Sequence, residues 1–402
     1  MSHVHGVRKL SKEKPTRVRE SDLGIMDLPY LLLTLLLTAV GLLVLYSASY
    51  ARAYYLTGNP AGYFISQLIF AVAGVLVMLL VSRVPYAWYR KYSLWIYLLT
   101  LALLGAVLLF GTNVNGATRW INLGFTQFQP SEIAKFALIL AMASLMTRYR
   151  EDIKSPKTFF LCAGALLLMA ALLILEPHFS ATIIIAALCF CMMLIGGINR
   201  KYLGIVVALG SVGLLTMLLA GGYTSDRITA WLDPEADPLD KGLQILQSEY
   251  AIGSGGLLGL GFGKSRQKYL YLPEEHNDYI FAIACEELGF IGAVAILLLF
   301  ALLILRGFWI AIHARDRFSM LLGAGLTCLL ALQVIINVAV VTNLLPSTGI
   351  SLPFFSSGGT ALIMQLAECG IVLNISRSIQ SRNERNIVHE SHFHLRRHRR
   401  SY

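Results

Sequence analysis

Long apolar blocks separated by polar connections dominate the pattern of this chain. Ten blocks stand out, at roughly 27–49, 62–82, 92–110, 131–147, 158–175, 178–197, 203–221, 279–305, 319–342 and 358–376. Each is close to the length a helix needs to cross a hydrocarbon core of roughly 30 Å. A segment inside lipid must satisfy its own backbone polar groups, which a helix does internally. The pattern therefore predicts an all-α polytopic membrane protein with ten transmembrane helices. The block at 131–147 is the weakest, because Glu132 and Lys135 interrupt its start. A nine-span alternative would leave that block in a loop.

Charge sets the orientation. Ten spans place both termini on one side, and that side collects 25 of the 33 Lys and Arg residues, leaving 8 elsewhere. An excess of Lys and Arg marks cytoplasmic connections, so both termini are expected in the cytoplasm. The net charge of +10 then reads as a topology signal, and no nucleic-acid partner is implied. Composition agrees with the membrane class: of 402 residues, 56% are hydrophobic and only 14% charged, with a mean hydropathy of +0.65. Soluble domains carry about a quarter charged residues.

Three regions follow. Residues 1–26 form a polar, basic tail expected to be disordered and cytoplasmic; the block behind it has no small-residue cleavage site and should stay as a span. Residues 27–376 form the membrane domain. Residues 377–402 form a second basic tail, whose His389, His392, His394 and His398 read as solvated and attracted to anionic headgroups rather than as metal ligands. The six cysteines all fall inside predicted spans without ligand or disulfide spacing.

Three connections are not short turns. They cover roughly 111–130, a large extracytoplasmic loop at 222–277 between spans seven and eight, and "NLLPSTGISLPFFSSGG" after span nine. Long loops in compact proteins carry function. Irregular backbone near membrane depth must be buried in protein or line a wet cavity. All three lie on the predicted outer face.

Several motifs in and near them carry candidate chemistry. "GSGGLLGLGFGKS" ends like a phosphate loop, but Leu258 stands where that motif needs Gly, and ATP is scarce outside. Lys264, Arg266 and Lys268 still form a basic cluster that could hold a phosphate or simply be a charged surface. "QPSEIAK" puts Glu132 and Lys135 on one helix face, as a structural ion pair or with Lys135 facing an anionic substrate. "NGATRW" sets Arg119 beside Trp120, an interfacial anchor or a pyrophosphate clamp. Glu176, Pro177 and His178 form the polar tip of a helix break.

The sharpest stretch is "YLPEEHNDYIFAIACEELG". The dipole of the following helix could account for Glu274, Glu275 and Asp278 as acids at its start. Asp278 also sits at the membrane boundary, where burial raises a carboxylate's pKa toward that of a working base. Glu286 and Glu287 lie two turns inside and need a polar interior or a basic partner.

Together "NGATRWINLG", "QPSEIAK", "WLDPEADP", the run from "QSEYAIGSGG" to "IACEELG", and "LPSTGISLPFFSSGGTALI" resemble the SEDS family (shape, elongation, division and sporulation), also called the FtsW/RodA/SpoVE family. The resemblance covers the first to the tenth span, and "GKSRQKYLYLPE" is more similar to the division and sporulation branch. It implies a peptidoglycan glycosyltransferase in the bacterial cytoplasmic membrane, acting at the outer face on lipid II. The implied partners are a class B penicillin-binding transpeptidase and other division or sporulation proteins. The 4-hydroxyl of one sugar would attack the anomeric carbon bearing undecaprenyl pyrophosphate, with inversion. The family's essential carboxylate falls on Asp278, with Asn277 and Tyr279 where Thr and Phe are usual.

Such a reaction needs a base for the acceptor proton and positive charge for the leaving pyrophosphate. No leaving sugar has to be protonated, so one carboxylate suffices, unlike the pair in inverting glycosidases. Substrate binding is expected from Arg119, Trp120, Glu132, Lys135, Lys264, Arg266, Lys268, His276, Ser356 and Ser357. A Mg²⁺ or Mn²⁺ ion could share the pyrophosphate charge, and no other cofactor is expected. The family's "QPDxG" turn appears here as "EPHFS", with His178 in place of Asp, so that Asp's role does not carry over. The competing functions are a lipid II flippase and a non-catalytic scaffold that recruits a transpeptidase.

Overall fold

The computed structural model describes residues 24–398 apart from 115–116, 123–126, 220–222 and 241. Its helices follow the apolar blocks: α1 (Leu28–Thr57), α2 (Gly62–Val81), α3 (Tyr86–Phe110), α4 (Pro130–Arg148), α5 (Pro156–Leu175), α6 (Phe179–Gly196), α7 (Arg200–Leu219), α10 (Ile280–Ile312), α11 (Arg317–Val341) and α12 (Gly359–His398). Among the described residues nine helices are long and apolar enough to span a bilayer. The remaining predicted span, 203–221, coincides with α7, whose expected end runs outside the described residues. So does most of the N-terminal tail. The C-terminal tail starts as helix, because α12 continues from its apolar part to His398.

Local chemistry explains the helix ends. Asp27 caps α1 by accepting from the Tyr30 N–H at 3.0 Å, with Pro29 in the first turn, where a missing N–H costs nothing. The same carboxylate takes a bidentate grip from Arg306 of α10 at 2.6–3.2 Å, and the Asp27 N–H donates to Ser376 of α12. One acid thus joins three helices at the end opposite the loops. Asp316 and Ser319 form a capping box at α11.

The weakest sequence block turns out to be a central helix. In its most apolar stretch α4 is 72% buried, matched by α11, whereas α2 reaches only 22%. A helix surrounded by protein can be less apolar than one facing lipid. That is why Glu132 and Lys135 are tolerated here and why hydropathy understated the span.

The two longest connections are more ordered than loops. Residues 112–128 depart from the all-α expectation as a small antiparallel sheet, order β1-β2-β3, with β1 at Thr112–Val114, β2 at Ala117–Asn122 and β3 at Gln127–Phe128. The Asn-Gly pair between β1 and β2 is a hairpin signal, legible in "NGATRW" as alternation rather than as an anchor. The long loop contains helices α8 (Tyr223–Leu232) and α9 (Leu243–Gly255) and a 3-10 turn at Pro234–Ala236.

The glycine-rich run after α9 serves close backbone packing. Its Leu260 and Gly261 N–H groups donate to the Glu286 and Glu287 carbonyls at 3.0 Å, and the Phe290 and Ile291 N–H groups return bonds to the Gly256 and Leu257 carbonyls. This exchange breaks α10 at Gly289, which adopts φ 67. A Cβ there would lie 2.2 Å from the Gly259 nitrogen, and one at Gly259 would lie 2.2 Å from the Glu287 oxygen. Two chains approach this closely only where both positions are glycine.

Candidate active site

The segment before α10 is a tight turn, not a helix start. Glu274 adopts φ 55, its carbonyl accepts from the Asn277 and Tyr279 N–H groups, and its carboxylate accepts from the Asn277 amide at 2.5 Å. The first turn of α10 contains no acid, so the dipole explanation for Glu274 and Glu275 does not hold. Glu275 is instead fully buried, 3.6 Å from Arg52 in the C-terminal part of α1 and 3.8 Å from Nδ1 of His276. The His276 ring is buried and packs on Tyr63 of α2, centroid to centroid 4.8 Å.

The irregular segment after α11 clasps this turn, as its Pro, Gly and Ser content required of backbone that cannot be helical. Ser356 donates to the Asn277 carbonyl at 2.8 Å and accepts from the Leu352 N–H at 2.7 Å, and the Ser357 N–H donates to the His276 carbonyl at 2.9 Å. Asn337 of α11 donates to the carbonyls of Asp278 and Ile350, each at 2.7 Å. The Ser356 hydroxyl thereby positions residues 276–278.

Asp278 is held by its backbone, through the bond from Asn337 to its carbonyl, while its side chain is half-buried. A Cβ on Gly349 would sit 3.3 Å from its Oδ2 and 3.9 Å from Oγ of Ser180, in the first turn of α6. Burial and then the negative charge of Glu274 raise its pKa from 3.8 to about 6, against the opposing pull of Arg227 and His276. This is the environment a general base requires near neutral pH. Arg227 of α8 comes from the middle of the long loop and donates to the Ser347 carbonyl at 2.6 Å. Arg227, Asn337, Ser180 and Arg52 were not read from the sequence. Only Arg227 left a signal, as a cation in an amphipathic stretch of the long loop.

A second polar group lies where α4, α5 and α6 begin or end on the same side. Arg119 of β2 donates to the Pro177 carbonyl, and Trp120 beside it is half-buried. Glu176 is buried, and that burial lifts its pKa to about 7 against the pull of Arg119; His178, buried and near Arg119 and Lys135, is pushed down to about 3 and stays neutral. Lys135 is buried and bonds both oxygens of Glu132 at 2.7 Å. The structural ion-pair reading is thus realised, with Lys135 also contributing charge to the His178 environment. Ser180, two residues beyond His178, donates to the Thr348 carbonyl in the segment after α11.

The 264–268 cluster divides. Lys264 and Arg266 are exposed. Lys268 is buried, 3.0 Å from Glu287, and also donates to Ser47 of α1 and the Gly263 carbonyl. In this structure it serves as a buried structural cation. The partners of the two inner glutamates are now explicit. Glu286 accepts from the Arg266 and Gln267 N–H groups at 2.9 and 3.3 Å and from the Ser265 hydroxyl, and Glu287 accepts from Ser47 at 2.6 Å and the Ser265 N–H at 3.2 Å. They fasten the glycine-rich loop to α10. The charges that reach Asp278 are Glu274, Arg227 and His276, none of them from this cluster.

A sequence model of the FtsW/RodA/SpoVE family, described as cell cycle proteins, matches residues 28–381. Stage V sporulation protein E of Bacillus subtilis is 39% identical over 354 residues, covering 87% of this chain and 97% of its own length. A probable peptidoglycan glycosyltransferase FtsW of Coxiella burnetii is 38% identical, with 85% and 94% covered. Among solved structures, one chain from a peptidoglycan synthase complex that coordinates polymerization and crosslinking superimposes with a TM-score of 0.73 at 28% identity, covering 88% of this chain and 98% of its own. The rod shape determining protein RodA of Thermus thermophilus gives 0.66 at 28% identity, with 88% and 97% covered.

Proposed function

This chain belongs to the FtsW/RodA/SpoVE family of cell cycle proteins, and on that premise we propose that Asp278 is the base of its peptidoglycan glycosyltransferase activity. The observation that carries this reading is the half-buried carboxylate of Asp278, raised to about 6 and held through the backbone of 276–278 by Ser356, Ser357 and Asn337. It is a multi-pass membrane protein. Ten helices, with α7 among them, would place both termini in the cytoplasm and the 222–277 loop outside the bacterial cytoplasmic membrane. The site would then meet lipid II at the outer face.

Asp278 takes the proton from the acceptor's 4-hydroxyl as that oxygen attacks the donor's anomeric carbon. The bond to undecaprenyl pyrophosphate breaks with inversion, and the pyrophosphate leaves as an anion. Arg227 and Arg119, with Lys135 behind, supply positive charge on that side, and His276 and Trp120 line the approach. A Mg²⁺ or Mn²⁺ ion, if bound, would neutralise phosphate charge. No three His, Cys, Asp or Glu residues gather to hold a metal among the described residues. Such an ion would therefore draw most of its ligands from phosphate oxygens and water. Lys264 and Arg266 extend the basic outer surface, and a class B penicillin-binding transpeptidase is the expected partner.

The test is polymerisation of labelled lipid II by the purified protein with its transpeptidase, comparing wild type with Asp278→Ala. Polymer lost in the variant is the expected result. Undiminished polymer would remove Asp278 as the base. Lipid crossing vesicle bilayers without polymer would point to a flippase, and neither outcome in the wild type to a scaffold.

A further inference from the structure

Two cavities of about 610 and 510 Å³ open side by side on the surface and share Tyr269. Tyr50, Tyr54 and Tyr55 of α1 wall the first, and Arg266 and Tyr271 wall the second. The rings are open to solvent, with Tyr54 64%, Tyr269 56% and Tyr271 62% exposed. The turn carrying the last two is pinned at both ends: Lys268 before it is buried against Glu287, and Leu272 after it is fully buried. Between the two tyrosines Leu270 adopts φ 68 and is itself exposed. A leucine rarely accepts that conformation, and backbone held this way clusters at functional sites.

Tyrosines along one helix face are routine at a membrane interface. An interfacial belt does not require a concave wall assembled from two separate segments, nor an arginine at its end. A tyrosine presents a flat apolar face and a hydroxyl, which match the C–H face and hydroxyls of a pyranose. Successive tyrosines along a groove therefore suit a chain of sugars. The exposed Arg266 and Lys264 complement the carboxylates of peptide stems carried on such a chain. The groove is tied to the segment that carries the base: Ala51 lies in its wall, and the next residue, Arg52, pairs at 3.6 Å with Glu275, three residues before Asp278.

We propose that this tyrosine groove binds the growing glycan strand and holds it beside Asp278 as each disaccharide is added. The proposal rests on the polymerase reading and names the route of its product. Its test is the length of strands made from labelled lipid II by the full complex carrying Tyr54→Ala with Tyr269→Ala, against the same pair changed to Phe. Losing two stacking rings should shorten strands by roughly fivefold or more per lipid II consumed, whereas Phe keeps the ring faces and most of the length. Magnetisation transfer to lipid-free, uncross-linked glycan fragments gives a reading independent of turnover, expected for wild type and the Phe pair and absent for the Ala pair. Equal strand lengths in all three proteins would overturn the groove while leaving the polymerase intact. So would shortened strands with undiminished fragment binding, the signature of tyrosines that serve only the membrane interface. Absence of polymer from the wild type would instead fail the catalytic reading.

Discussion

Replacing Asp278 with Asn removes one charge at nearly constant shape, and the structure predicts two effects of opposite sign. Catalysis falls, because a positioned base contributes about 10²–10⁴-fold to a rate. Stability rises at neutral pH. In the unfolded chain the carboxyl titrates near 3.8, whereas in the folded protein it titrates at about 6. The folded state thus binds the proton more tightly, so the group's stabilising contribution is complete below pH 3.8 and is lost as pH rises to about 6. Roughly two pKa units correspond to about 3 kcal/mol of cost at neutral pH. Asn never ionises, so the variant should melt higher than wild type at pH 7.5, with the advantage gone near pH 4. The same titration governs the wild-type rate. About nine-tenths of a base with pKa near 6 is ionised at pH 7 and about one-tenth at pH 5, so kcat/KM on lipid II should fall roughly tenfold between them. Glu274→Gln should move that acid limb to lower pH and Arg227→Gln to higher pH, following the neighbours that raise and lower the carboxyl. A rate that is flat from pH 7 to pH 5, or an Asn variant within tenfold of wild type, would refute the argument.

The remaining predictions concern the supports of the site. Lys268→Met leaves Glu287 buried without its cation and should cost about 3–5 kcal/mol in thermal unfolding; adding Glu287→Gln should restore much of the loss, and no restoration would show that the pair is not the cause. Gly289→Ala places a Cβ 2.2 Å from the Gly259 nitrogen and should abolish monodisperse protein, whereas Gly253→Ala, with nothing within 4 Å, should behave as wild type on size exclusion. Arg52→Met should lower kcat more than it raises KM, because it releases Glu275 and with it His276. A double variant with Glu275→Gln should then be less impaired than the single, and simple additivity would argue against coupling.

How much of this was legible depended on whether the responsible forces were local. Helix α4 was readable but undervalued, because hydropathy scores a helix against lipid while this one packs against protein. The strand pair carrying Arg119 has a hairpin signal in the Asn-Gly of "NGATRW", which an all-α reading overlooks. Glu274 and Glu275 were assigned to a helix dipole because sequence spacing cannot reveal that the helix begins at Ile280 after a left-handed turn at Glu274. Lys268 was grouped with Lys264 and Arg266 by proximity along the chain. Its distance to Glu287 depends on where the loop folds back, which no local pattern encodes.

By itself the sequence determined the membrane class, the order of the helices, the gathering of polar motifs in a few long connections and the carboxylate at Asp278. These follow from apolar block length, charge asymmetry and short motifs, all of which act within a few residues. The tertiary structure decided what surrounds that carboxylate. Arg227, Asn337, Ser180 and Arg52 reach the turn or its neighbours from α8, α11, α6 and α1, and the Ser356–Ser357 segment clasps it from beyond α11. The pKa of a base and the grip on its backbone are set by whatever lies within a few ångströms. In a bundle of helices those neighbours come from distant parts of the chain.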